Sequence, residues 1–223
     1  MAELLAEAPL FADRRDAGRL LARRLESERG TDAVVVGLAR GGVVTAAEVA
    51  SALRLPLDVV AVRKVGHPWQ PEYAIGAVTP GDGVYVRGPD GLTDEQVQAA
   101  VGGAKSRAEE LDRRLHQDSG PVELAGKTCV LVDDGLATGA TMIAAVRWAR
   151  SRGAARVVAA VPVAALASLP LVEAEADAAV CLHELDPFVA VGFWYGTFDQ
   201  VEDGEVKRLL AVSALAAAAA RPS

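Results

Sequence analysis

The sequence predicts an α/β protein with a central, mainly parallel sheet and helices on both faces. Short apolar runs rich in β-branched residues alternate with segments of helical periodicity, the pattern of repeated strand–helix–strand units. The runs are nearly free of polar residues, as a strand covered on both faces requires. One of them, after Gly126, ends in two adjacent aspartates and a Thr-Gly-Ala-Thr turn that opens the next helix. Open α/β sheets bind their ligands at strand ends of this kind.

In chain order, Ala17, Leu20, Leu21 and Leu25 recur at helical spacing and predict an amphipathic helix over 13–28. A buried strand follows at 33–38, ending in Ala39-Arg40-Gly41-Gly42, and then a helix through Leu53. Pro56 breaks that helix, and a second buried strand at 57–62 finishes on Arg63-Lys64. From 65 to 91 Gly, Pro and aromatic residues dominate, with strand candidates at 73–79 and 84–87, which reads as a hairpin-like excursion of the kind that becomes a mobile lid. Thr93 and Gln96 form a capping-box signature, and Val97, Val101, Ala104, Ala108, Leu111 and Leu115 trace one face of a long helix. The helix after the paired acids runs to about Arg152 and stops at Gly153. A strand at 157–163, closed by Pro162, precedes a helix through Ala176, an edge strand at 178–182 and an alanine-rich helix from about Asp203. Trp148 reads as core.

Composition narrows the function classes. The 223 residues hold one α/β domain, or a domain with a small lobe, and a content of 51% hydrophobic and 24% charged residues excludes wholesale disorder. No apolar run is long and charge-free enough to span a bilayer, and the N-terminus is acidic where a signal peptide is basic, so no membrane role and a cytoplasmic location are expected. Cys129 and Cys181 lie in apolar strand-like runs, as buried thiols in a reducing compartment do. A formal net charge of −7 argues against general affinity for nucleic acid, so any anion site must be local.

Asp133 and Asp134 have two readings: an acid pair that favours the following helix through its dipole, or ligands for sugar hydroxyls or a metal. Thr138, Gly139, Ala140 and Thr141 favour the second, because glycine allows close backbone approach and both threonines can donate to phosphate oxygens at a helix N-terminus. The turn is no Walker loop, since it lacks Gly-Lys-Ser/Thr, and the glycines between 37 and 42 have the wrong spacing for a dinucleotide fingerprint. A nicotinamide enzyme is therefore disfavoured.

The stretch VLVDDGLATGATM resembles the signature of type I phosphoribosyltransferases, which bind 5-phosphoribosyl 1-diphosphate (PRPP). The resemblance implies the type I phosphoribosyltransferase fold with a flexible hairpin loop and a small C-terminal hood. It implies a single domain over 1–223, with its core at about 12–164, the loop at about 64–91, the hood at about 178–202 and a C-terminal helix at about 203–220. Asp133 and Asp134 would then hold the ribose 2- and 3-hydroxyls, close to a Mg2+ carried chiefly by PRPP itself. Ala137, Thr138, Gly139, Ala140 and Thr141 would grip the 5-phosphate. Ala39, Arg40, Gly41 and Gly42 stand where the family has its diphosphate-contacting loop; Gly41 permits unusual backbone angles there and Arg40 supplies charge. Arg63 and Lys64 would be the basic residues facing diphosphate at the start of the flexible loop. His67 could donate to diphosphate or shuttle a proton, and Glu72 could act as general base, although either reads equally well as a turn residue. A homodimer is the expected assembly.

Phe188, Phe193, Trp194, Tyr195 and Phe198 place five of the chain's ten aromatic residues within 188–198, a concentration that asks for an explanation. The hood of the family covers the acceptor base, so Phe188, Phe193, Trp194 and Tyr195 are candidates for an acceptor wall, and the alternative is that the rings form the hood's own small core. His183 lies near them in sequence. Ala137 stands where the 6-oxopurine branch of the family has an aspartate, which argues against hypoxanthine or guanine. DDGLATGAT with Arg63-Lys64-Val65-Gly66 is closer to the adenine branch, but Glu72-Tyr73 follows too soon after Arg63-Lys64. GLARGG, VRKVGHPWQPEYAIGAV and FVAVGFWYGTFDQV together resemble most a bacterial group of stand-alone phosphoribosyltransferase-like proteins of unassigned acceptor. The expected activity is transfer of a phosphoribosyl group from PRPP to a nitrogenous acceptor. The alternatives are a non-catalytic sensor of PRPP or a nucleotide on the same fold, and a magnesium-dependent hydrolase of phosphorylated sugars.

Overall fold

The computed structural model describes residues 9–88, 91–118 and 120–219. Residues 89–90 of the expected loop, residue 220 of the expected terminal helix and residues 1–8 of the expected domain lie outside the described residues. The chain runs α1 (Arg14–Arg24), β1 (Val34–Ala39), α2 (Gly41–Leu53), β2 (Leu57–Ala61), β3 (Arg63–His67), β4 (Gln70–Val78), β5 (Val84–Val86) and α3 (Asp94–Leu115). It continues through β6 (Thr128–Val132), α4 (Ala140–Ser151), β7 (Arg156–Ala165), α5 (Leu169–Glu173), β8 (Ala178–Leu185) and α6 (Asp203–Ala219).

Five strands form one sheet in the order β2-β1-β6-β7-β8, with every neighbouring pair parallel. The α/β architecture with a mainly parallel sheet is therefore the one expected. Successive residues of a strand face opposite sides, and the sheet divides its apolar residues accordingly. Val35, Val59, Val130, Val132 and Val158 join a core with Leu21 of α1 and Leu25 just after it, much of α2, Leu111 and Leu115 of α3 and Leu209 of α6. Val34, Val36, Val60, Leu131 and Val161 join a second core with Met142, Ile143 and Trp148 of α4 and Val172 of α5. The most deeply placed strands, β1 and β6, are the ones whose sequences carry almost no polar residue, because polar atoms there would lose water without gaining partners.

The capping box is present as expected: Thr93 accepts from the Gln96 amide and the Gln96 side chain accepts from the Thr93 amide. Both cysteines are free thiols, and burial pushes Cys129 up to about 12 and Cys181 up to about 11. Among the described residues no helix is long and apolar enough to cross a membrane.

Several local expectations are corrected. The excursion after β2 is a three-stranded antiparallel sheet in the order β3-β4-β5, since Arg63–His67 is itself a strand paired with β4. Its apolar face, Val65, Ile75 and Val78, packs against Val101 and Ala104 of α3, which is what turns a Gly- and Pro-rich segment into a sheet. Pro162 lies inside β7 and does not close it; it falls beyond Val132↔Ala160, the last β6–β7 pair, where a missing N–H is tolerated. The helix expected through Ala176 shrinks to Leu169–Glu173 because β7 extends to Ala165. The segment 178–185 is the edge strand of the central sheet, so the hood begins only after Leu185.

Candidate active site

The paired acids stand where β6 ends. Strand pairing stops at Val132, and the chain passes through Asp133 and Asp134 into a loop that leads to α4. The Asp133 amide still donates to the Ala160 carbonyl at 3.3 Å and that of Leu136 to Val163 at 2.9 Å, so β7 holds the loop's first half. Ser168 Oγ donates to the Ala137 carbonyl at 2.8 Å and holds its second half. Gly139, at φ 79°, is the N-cap of α4, a left-handed conformation that favours glycine. The first-turn amides of α4 have no intrahelical acceptors and together with the Thr138 and Thr141 hydroxyls form an anion-accepting end.

A cleft of about 240 Å³ opens against this loop. Asp133, Asp134, Ala137, Thr138, Ala140 and Thr141 line it on one side, and Lys64, Ala74, Ile75, Gly76 and Arg87 of the three-stranded sheet line it on the other. Gly135 and Val191 complete it. Seven of the residues expected at the site, Lys64 among them, thus share one cavity. Arg87 was missed. Its only signal in the sequence is a cation at the end of a strand candidate, and its place in the cleft follows from the antiparallel pairing of β4 and β5.

The loop Ala39-Arg40-Gly41-Gly42 abuts the acids from behind. A Cβ on Gly42 would come within 2.8 Å of Asp133 Oδ1 and of the Val132 carbonyl, and one on Gly41 would run into the Asp134 carboxylate. Gly41 is the first residue of α2 and adopts no left-handed conformation, so it is required for space and not, as expected, for unusual backbone angles. The Ala39–Arg40 peptide bond is cis. Arg40 Nε donates to Asp203 Oδ1 at 2.6 Å, at the start of α6.

The two basic residues at the start of β3 part company. Adjacent residues of a strand face opposite sides, so Lys64 lines the cleft and Arg63 does not. Burial pushes Arg63 below its ordinary value, helped by Arg40 and Arg114, and its Nε has no hydrogen-bond partner among the described residues. His67 and Glu72 lie at the β3–β4 end of the three-stranded sheet and do not line the cleft either. The His67 ring stands 5.4 Å from that of Trp69 and 6.2 Å from that of Tyr73, and Trp69 is 66% exposed.

The hood aromatics pack on one another. Trp194 and Tyr195 are buried with Phe11, Val163 and Leu185, and Phe188 and Phe198 rest against that cluster. This packing leaves Trp194 and Tyr195 no free ring face for an acceptor, so of the two readings the small core holds for them. Phe193 is 40% exposed but does not line the cleft, nor does Phe188. Tyr195 nevertheless reaches the site, because its hydroxyl donates to the Asp134 carbonyl at 2.5 Å.

The acids themselves are electrostatically unequal. Burial pushes both carboxyls above their ordinary range, and the charge of Asp134 pushes Asp133 further. Arg14 opposes the rise at Asp134, with Nε 2.7 Å from Oδ2. Asp133 Oδ1 accepts from the Asp134 amide at 2.9 Å. An acceptor pair of this kind suits vicinal hydroxyls, and the helix end beside it suits a phosphate.

Comparison with known proteins agrees with this geometry. Residues 7–193 match the model of the phosphoribosyl transferase domain. A protein of Mycobacterium tuberculosis H37Rv that carries the name phosphoribosyl transferase, with no acceptor specified, is 45% identical over 206 residues, 90% of this chain and 46% of its own length. The chain therefore spans about half the length of that relative. The adenine phosphoribosyltransferase of the same organism is 34% identical over 161 residues, 72% of this chain and 60% of its own length. Among solved structures, TT1426 from Thermus thermophilus superposes with a TM-score of 0.76 at 40% identity, covering 90% of this chain and 97% of that one. With the paired acids, the Thr138–Thr141 turn at the start of α4 and a family match over most of its length, this chain belongs to the phosphoribosyl transferase domain family.

Proposed function

We propose that the protein transfers a phosphoribosyl group from PRPP to a nitrogenous acceptor, a purine or related base, and releases diphosphate. The observation that carries this reading is the single cleft shared by Asp133, Asp134, the Thr138–Thr141 turn and Lys64. The acids accept the ribose hydroxyls, the turn and the start of α4 accept the 5-phosphate, and the cations of the three-stranded sheet face the diphosphate. Breaking the bond from the anomeric carbon to diphosphate builds positive charge on the ribose and negative charge on the leaving group. Lys64 and Arg87, which line the cleft, would stabilise the second charge, and the paired carboxylates would stabilise the first. The acceptor nitrogen then forms the new bond to that carbon.

Magnesium fits this site as a partner of the substrate. No group of three or more potential ligands occurs among the described residues, and Asp134 Oδ2 is taken by Arg14, which leaves Asp133 and Asp134 Oδ1 as donors. Mg2+ is commonly held by one or two carboxylates together with substrate phosphates. Bound that way, it would supply further charge stabilisation to the leaving diphosphate. The reading includes a cytoplasmic homodimer, and light scattering of the purified protein tests the assembly. Similarity to an adenine phosphoribosyltransferase supports a base as acceptor, and Ala137 argues against a 6-oxopurine.

The test is diphosphate release from PRPP and Mg2+ with a panel of bases and small amines. Release with one acceptor establishes the reaction. Tight PRPP binding with no release from any acceptor makes the protein a sensor instead. Asp134→Asn, which removes a charged acceptor of ribose hydroxyls, should weaken PRPP binding by about 2 kcal/mol, roughly thirtyfold. Wild-type affinity of this variant in calorimetry would remove the assignment.

A further inference from the structure

Resting on the reading that this cleft binds a ribose phosphate, we propose that Arg14 is a positioning residue that orients Asp134 for the ribose hydroxyls and ties the hood to it. Arg14 is the first residue of α1 and does not line the cleft. Its Nε donates to Asp134 Oδ2 at 2.7 Å, its Nη1 donates to the Asp199 carbonyl at 2.8 Å, and its Cζ lies 3.6 Å over the centre of the Phe198 ring. The two side chains of the ion pair are only 11% and 15% exposed. One planar guanidinium therefore joins three parts of the chain that are far apart in sequence: α1, the loop after β6 and the hood.

This arrangement is not needed to begin α1. Asp13 already caps that helix by accepting from the Asp16 amide at 2.8 Å, and Ala17 and Leu21 supply its buried face. The guanidinium instead holds one oxygen of the Asp134 carboxylate, and its own plane is held in turn by the Asp199 carbonyl and the Phe198 ring. With Oδ2 held, Oδ1 is the oxygen left for a ligand. The loop Ala39-Arg40-Gly41-Gly42 is built around the same pair: a Cβ on Gly41 would lie 3.0 Å from Arg14 Nε and 3.1 Å from Arg14 Nη2. On the hood side, the Tyr195 hydroxyl holds the Asp134 carbonyl while its ring stands 5.0 Å from that of Phe198. The hood thus acts on the ribose end of the cleft through Asp134, although Val191 is its only residue in the cleft lining.

Calorimetry with ribose 5-phosphate and 2-deoxyribose 5-phosphate separates positioning from general structural support. The wild type should prefer the first sugar phosphate by roughly tenfold or more, the worth of a hydrogen bond to a charged group. Arg14→Gln should bring the two affinities within about threefold of one another, because the hydroxyl contact loses its orientation while the 5-phosphate contact remains. If Arg14→Gln keeps the full preference, or weakens both ligands equally, the proposal is overturned and the PRPP reading stands. If the wild type binds PRPP and neither discriminates nor binds the two sugar phosphates, the proposal also falls. A wild type that binds none of the three sinks the PRPP reading itself. Should Arg14→Gln fail to fold, Phe198→Leu leaves the ion-pair atoms in place and removes the ring under the guanidinium; a reduced preference supports the proposal and an unchanged one overturns it.

Discussion

His116 ends α3 between two carboxylates, and replacing it by glutamine should change both the stability of the protein and its dependence on pH. His116 Nε2 is 2.9 Å from Asp58 Oδ1, and Nδ1 is 3.3 Å from Asp112 Oδ2. Burial alone would lower the affinity of the imidazole for its proton, but the hydrogen bonds and charges of Asp112 and Asp58 outweigh it and push His116 up to about 10. A rise of that size from 6.5, at about 1.36 kcal/mol per pH unit, sets a ceiling near 5 kcal/mol. Solvent at the edge of the site screens the pair, so roughly 2–3 kcal/mol is the expected contribution. The folded state binds the proton more tightly than the unfolded state. The stabilisation is therefore complete below about pH 6.5 and is lost as the pH rises towards 10. Asp58 is 3% exposed and lies on β2, the strand that precedes Arg63 and Lys64, so the clamp ties the end of α3 to the central sheet. Urea unfolding of wild type and His116→Gln at pH 6, 8 and 10 measures the effect. The gap between the two should be widest at pH 6 and should narrow by pH 10. A constant gap would show that His116 carries no charge of consequence, and the reasoning from its two carboxylates would be refuted.

Other perturbations address the site and the hood. Gly41→Val should weaken PRPP binding at least about tenfold, since the added side chain displaces the Asp134 carboxylate and the hydrogen bond it offers; unchanged affinity in calorimetry would count against the contact. Trp194→Ala should cost about 3–5 kcal/mol in equilibrium unfolding, as loss of a fully buried aromatic does. Phe193→Ala, at a partly exposed ring, should cost less than about 1 kcal/mol, and equal losses at both positions would contradict the packing described. PRPP with Mg2+ should protect residues 65–90 from limited proteolysis, and an unchanged cleavage pattern would speak against closure of this segment over the ligand.

The sequence was most legible where a residue's chemistry depends on near neighbours. Apolar runs announced the buried strands, because a strand covered on both faces cannot hold polar atoms. Thr93 and Gln96 announced the start of α3, because a capping box is complete within four residues. Asp133, Asp134 and the turn through Thr141 announced the centre of the site for the same reason: one strand end, one loop and one helix start place them all. The excursion after β2 was harder. Its pairing of β3 with β4 depends on a face packed against α3, and no local pattern reveals that partner.

Everything that required two distant segments was left to the tertiary structure. Whether Lys64 or Arg63 faces the cleft depends on which side of β3 meets α3, and the antiparallel pairing of β5 brought in Arg87. The hood's rings suit a base or one another equally well by sequence, and it is Phe11 and Leu185 that enclose Trp194 and Tyr195 in a small core. Arg14, an ordinary surface-helix arginine by sequence, became the partner of Asp134 because α1 lies between the hood and the loop after β6. The sequence by itself determined the paired acids and the turn beside them, which form a short contiguous motif. The tertiary structure decided which cations, which rings and which side chain behind the acids serve that motif, because those contacts join residues far apart in the chain, 120 positions in the case of Arg14 and Asp134.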